Sequence, residues 1–211
     1  MKLLTALVFL LAVAGTQSGI VDSFISQVKS LFTTHEEAPY HVTEWSSEYE
    51  ERRYPPQKWV CSQEEAKPGE YTVEELTTSL FWRLFAYIGG HNAEGKAIEM
   101  TGPVTVEVTL LESGGKRFTE CFYLGNAHQA NPPQPAESHT FIQDRPELYV
   151  LTRTVGGYVE AEAEWQREAQ SLASILERHG RTVSFDRQYW VGYDPPVKFW
   201  NRRNEVWFVE N

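Results

Sequence analysis

Two stretches of this 211-residue chain carry the same order of elements, and that repetition limits the folds open to it. The first begins at "YEERRYPPQKWVCS" (residues 49–62), which reads as a strand with prolines near its start or at an edge. "GEYTVEELTTSLFWRLFAYIGG" follows. In it Val73, Leu76, Leu80, Leu84 and Tyr87 recur at helical spacing, and Thr72 with Glu75 forms a capping box. Gly89-Gly90 stops that helix, predicted over 72–88. "MTGPVTVEVTLLESGGKRFTECFYLG" is then a hairpin of two alternating strands about a Ser-Gly-Gly turn.

The second half repeats the order. "PELYVLTRTVGGYVE" is a strand. "EAEWQREAQSLASILERHG" is a helix with Trp165, Ala169, Leu172 and Leu176 on one stripe, and "RQYWVGYDPPVKFWNRRNEVWFVE" is a second hairpin. Pro103-Val104 and Pro196-Val197 occupy matching places, and "NRRN" is the turn of the second hairpin. A proline-rich connector, "GNAHQANPPQPAESHTFIQDRPE", separates the halves. Strand, helix and hairpin alternate without a parallel βαβ signature, which predicts one α+β domain of duplicated strand–helix–hairpin units.

Ahead of the repeats, "MKLLTALVFLLAVAGTQS" has the layout of a secretory signal peptide: one lysine, an apolar run too short to span a membrane, then small residues. Residues 1–18 are therefore expected to be removed, leaving a secreted, monomeric protein with no membrane span. Residues 19–48 form an N-terminal segment and linker. Within it Ile20, Val21, Phe24, Ile25, Val28, Leu31 and Phe32 mark a short amphipathic helix, and residues 33–48 read as polar and irregular. The domain proper is expected over 49–211. The formal charge of −10 argues against nucleic acid and anionic membranes as general partners.

In an oxidising compartment the two cysteines, Cys61 and Cys121, suggest a disulfide, with two separate buried thiols as the alternative. The last strand of a strand–helix–hairpin unit commonly lies beside the first, which would bring the two together. No cysteine or histidine spacing matches a metal site. No nucleophile elbow, phosphate loop or HExxH motif is present, so no catalytic residue is expected. What stands out is aromatic: Phe, Trp and Tyr make up 13% of the chain. The first helix is apolar almost all round, adding Phe81, Trp82, Phe85 and Ile88 to its stripe, and its second face needs a partner. That partner is either the N-terminal segment or a flat apolar ligand, with Lys198, Arg202 and Arg203 placed to meet ligand carboxylates.

"YEERRYPPQKWV", "MTGPVTVEV", "PPQPAES", "LASILERHG" and "GYDPPVKFWNRRNEVWFVE", in this order, resemble the SOUL heme-binding protein family over about residues 40–210. The resemblance implies two helices on a curved, mostly antiparallel sheet or distorted barrel. It also implies non-covalent binding of heme or another porphyrin in a shallow apolar cleft beside the first helix. Phe81, Leu84, Phe85 and Ile88 would wall that cleft, and Lys198 would meet a propionate. Some members carry a histidine, proposed as an iron ligand, where this chain has Arg53; His91, just after the first helix, is the candidate substitute. The signal peptide is a second departure, since well-known relatives are intracellular. The function expected is tetrapyrrole scavenging, buffering or delivery. The alternative is an extracellular protein-interaction module that keeps the fold without heme.

Overall fold

The structure, a computed structural model, describes residues 35–67, 69, 72–194 and 201–210. The amphipathic stripe at 20–32 lies outside them. In chain order the first strands are β1 (Glu36–Glu37), β2 (His41–Trp45), β3 (Glu50–Tyr54) and β4 (Gln57–Ala66). Helix α1 (Val73–Ile88) follows, then β5 (Thr101–Gly102), β6 (Val104–Leu110) and β7 (Lys116–Tyr123). After a short 3-10 turn come β8 (Thr140–Arg145), β9 (Leu148–Val155), α2 (Glu162–Arg178), β10 (Arg187–Gly192) and β11 (Asn204–Val209). Nine strands form one antiparallel sheet in the order β2-β3-β9-β11-β10-β6-β7-β4-β8, while β1 pairs with β5 alone.

That order contains the duplication. β4–α1–β6–β7 is one strand–helix–hairpin unit and β9–α2–β10–β11 the other, and β6 and β10 join them at the middle of the sheet. In each unit the last strand lies beside the first: β7 pairs with β4, and β11 with β9. The register sets Cys61 opposite Cys121, and the two form a disulfide with their Cα atoms 4.1 Å apart.

Two features differ from the sequence reading. The segment 49–62 is two strands, broken at Pro55-Pro56, where neither residue can donate an N–H to a ladder. The connector between the halves contains β8, and residues 33–48 include β1 and β2. β3 pairs with β9 of the second unit, whereas β8 pairs with β4 of the first, so the leading strands are exchanged between halves. Only two residues link β3 to β4, and two link β8 to β9, although each link joins opposite ends of the sheet order. The sheet must curl until those ends meet, a half-barrel.

The curl gives the sheet two apolar faces. Its concave face holds Tyr54, Trp59, Cys61, Cys121, Tyr189 and Trp207 in one cluster drawn from five strands. The helices cover the other face, where Leu76 and Leu80 of α1 share a cluster with Trp165, Ala169, Leu172 and Leu176 of α2. α1 starts at the predicted capping box: Thr72 Oγ1 accepts from the Glu75 amide, and the Thr72 amide donates to the Glu75 carboxylate. Such a cap contributes about 1 kcal/mol.

Candidate functional site

The end of α1 is tied down by its sequence. Gly90, at φ +103°, turns the chain back after the helix, a conformation that side chains with a Cβ rarely adopt. Asn92 then fixes the reversal. Its Nδ2 donates to the Tyr87 and Lys96 carbonyls, and its Oδ1 accepts from the Glu94 and Lys96 amides. The Ala93 amide donates to the Gln134 carbonyl, and Tyr87 Oη donates to the Pro133 carbonyl at 2.7 Å. Burial pushes the Tyr87 phenol up to about 12, so it stays a neutral donor across the physiological range.

These bonds hold the 133–139 loop against α1 and leave a cleft of about 240 Å³ between them. Ala86, Tyr87 and Pro135 line it with Arg83, His91 and His139. His91 Nε2 lies 3.1 Å from Glu137 Oε1, and Arg83 pairs with Glu64 at 2.9 Å. The cleft thus sets two imidazoles and a guanidinium beside a small apolar wall. Sequence reasoning reaches His91 but misses Arg83, Glu137 and His139; the signal that could have found the last two is "PPQPAESH", a turn-rich run with an acid and a histidine close together.

Of the apolar residues predicted to wall a ligand site, Leu84, Phe85 and Ile88 are 0%, 3% and 2% exposed. They pack with Val60, Ile98, Met100, Phe122 and Leu124. Phe81 is partly buried, stacked on Phe85 and edge-on to Trp82 and Phe122. Phe81 and Trp82 therefore carry what remains of the outward aromatic face of α1, over a floor made by the other three. Lys198 lies outside the described residues.

The remaining cations of the second hairpin have local partners. Arg203 stacks on Tyr193 at 3.6 Å and pairs with Glu37 and Glu205. Glu205 is wholly buried and also accepts from Arg52, Tyr193 and Trp207 Nε1. Four donors on one buried carboxylate make this the polar anchor of the hairpin base. Arg202 sits over the Tyr158 ring at 4.5 Å, and Arg53, at the position compared with a histidine, pairs with Glu147 at 3.2 Å. Among the described residues, no group of three or more His, Cys, Asp or Glu side chains is placed to hold a metal ion.

α2 has a groove at the corresponding place. Each helix is flanked by the exchanged strand beside its own unit, β8 next to α1 and β3 next to α2, and by the loop that enters that strand. The α2 groove is wider, about 790 Å³, and runs between Ser171, Ser174, Ile175 and Arg178 on the helix and the 45–50 turn.

The sequence profile of the SOUL heme-binding protein family matches residues 35–209. Human Heme-binding protein 2 is 35% identical over 178 residues, which cover 82% of this chain and 83% of that protein. Mouse Heme-binding protein 1 is 33% identical over 187 residues, covering 86% and 96%. Among solved structures, the EcmrR C-terminal domain superposes with a TM-score of 0.53 over 82% of this chain and 98% of that one. At 10% identity that likeness concerns the fold alone.

Proposed function

Because this chain belongs to the SOUL heme-binding protein family, we propose that it binds heme or a related porphyrin non-covalently along α1, and does so outside the cell. The observation that carries the reading is the cleft at the end of α1, where Arg83, His91 and His139 converge beside the Phe81–Trp82 face. A tetrapyrrole dianion needs an apolar wall for its ring and cations for its propionates, and an imidazole is a common axial ligand when the iron is coordinated. The side chains present fit those needs. Phe81, Trp82 and Ala86 would meet the ring, with Leu84, Phe85 and Ile88 as the floor that keeps Phe81 in place. Arg83 and Lys198 would pair with propionates, and His91 or His139 would face the metal.

The cleft of about 240 Å³ is smaller than the roughly 300–1,000 Å³ usual for small-molecule sites, so the ligand would seat one edge there and lie across the helix surface. Bound heme would supply its redox-active iron. The protein would contribute binding and shielding, and the role proposed is scavenging, buffering or delivery rather than catalysis. The apolar N-terminal run supports an extracellular site of action.

Hemin titration followed by absorbance tests this reading, using the processed chain with Lys198→Glu and His91→Ala as variants. A saturable one-to-one Soret change is expected, about tenfold weaker in Lys198→Glu for the loss of one charge-assisted contact. Altered band position in His91→Ala would identify that imidazole as the ligand. If the Soret band fails to saturate while circular dichroism shows an intact fold, heme binding is refuted. The interaction-module reading then stands in its place.

A further inference from the structure

We propose that the groove beside α2 is a second binding site, for a small molecule carrying a carboxylate or phosphate group. Its volume of about 790 Å³ lies within the range of small-molecule sites, and its walls are unlike those of the α1 cleft. Three arginines line it, Arg52, Arg153 and Arg178, against two glutamates, Glu48 and Glu50. This is a local excess of positive charge on a chain of net charge −10.

The pairing within the groove leaves one cation over. Glu50 is engaged by Arg52, which also reaches Glu205. Glu48 is shared by Arg178 at 2.6 Å and His179 at 3.1 Å. Among the described residues no carboxylate lies within ion-pair distance of Arg153. It meets a hydroxyl instead: Arg153 Nη1 donates to Ser171 Oγ at 2.6 Å. Since Ser171 Oγ accepts that bond, its own hydrogen is left to donate elsewhere.

A half-buried guanidinium and a serine hydroxyl oriented by it form a donor pair that suits an oxyanion. The fold explains why the space stays open. β3 begins at Glu50, opposite Thr152, so β9 continues through Arg153–Val155 with no described strand beside it on that edge. The 45–49 turn arches away and places the Trp45 ring, 71% exposed, at the rim. Trp45, Tyr49 and Ile175 offer contact to a flat or apolar body attached to the anion.

The test is an amide-shift NMR titration of the processed chain with inorganic phosphate, phenyl phosphate and citrate, in a buffer free of other oxyanions. Saturable shifts are expected at Arg153, Thr154, Ser171 and Ser174. Their relative strength separates a phosphate from a carboxylate ligand, and any gain of phenyl phosphate over phosphate reports the Trp45 contact. Arg153→Met should weaken binding about tenfold or more, whereas Arg167→Ala, on the exposed side of α2, should leave it unchanged. Arg153→Lys, which keeps the charge but not the fork, should fall between. If Arg153→Met does not fold, Ser171→Ala should still lower affinity. No saturable shift with any of the three probes, shifts confined to another surface, or equal binding by wild type and Arg153→Met would each overturn the proposal.

Discussion

The most direct physical test of this fold is one buried carboxyl, Glu120. It sits on β7 beneath the helices, 2% exposed, opposite Ser62 on β4 and Val106 on β6. Neither its Oε2 nor the Ser62 hydroxyl has a hydrogen-bond partner among the described residues. Burial pushes its carboxyl well above the usual carboxylate range. The folded chain therefore holds a proton that the unfolded chain releases near pH 4.5. Stability from this group is fully present below that pH. It is lost as pH rises toward the raised folded-state value, at up to about 1.4 kcal/mol per pH unit. Glu120→Gln keeps the shape and removes the titration. Urea denaturation of wild type and variant at pH 5.5 and 6.5, disulfide intact, isolates the effect, because every other ionisable group is common to both proteins and cancels in the difference. The variant should gain on wild type as pH rises, by up to about 1.4 kcal/mol over that single unit. Below the unfolded-state value, where both side chains are neutral in both states, the difference should level off with pH. A difference that is flat with pH would mean that Glu120 ionises normally in the fold and that burial does not hold its proton.

Two further outcomes can be checked, one from the structure and one from the sequence. The Cys61–Cys121 bridge closes a loop with a sequence separation of 60. Replacing both cysteines by serine should cost about 4 kcal/mol in the chain-entropy account, read as a lowered urea midpoint; an unchanged midpoint would contradict it. Chain recovered from the medium of expressing cells should have an intact mass beginning between Gly15 and Gly19. Retention in the cells with Met1 in place would refute secretion.

The repeat was legible because each unit contains a helix with a core stripe and a hairpin with alternating strands, all signals local in sequence. The strands that escaped notice carry no such signal. β2, His41–Trp45, is exposed at every residue, so no apolar alternation marks it. β8 is an edge strand whose pattern, TFIQDR, buries only its two ends, and it follows a run of prolines. The exchange of β3 and β8 between halves depends on pairing across about 80 residues or more, beyond the reach of any periodicity. The candidate site was legible in part for a related reason. A helix apolar all round announces that it needs two partners, but not which face takes which. Ile98 and Met100, on the loop after α1, bury Phe85 and Ile88. Nothing in their own short, charged surroundings predicted that they would fold back on the helix.

The exchanged strands also bear on where ligands can bind. If each half paired only with itself, both clefts would be assembled locally. Instead the α1 cleft takes its far wall from the 133–140 stretch, which leads into the second half, and the α2 groove takes its wall from residues 45–50, which precede the first. Neither site is built from one continuous unit, so both depend on the crossing at Pro55-Pro56 and Pro146-Glu147. Two helices at equivalent places in a duplicated sheet have thereby been lined by unrelated loops. One supplies Glu137 and His139, opposite His91 and beside aromatic surface. The other supplies Trp45, Ser46 and Glu48 beside Arg153, which no carboxylate among the described residues neutralises. Duplication fixed the positions of the two hollows. The loops entering the exchanged strands, free of any pairing constraint within their own unit, set the chemistry of each.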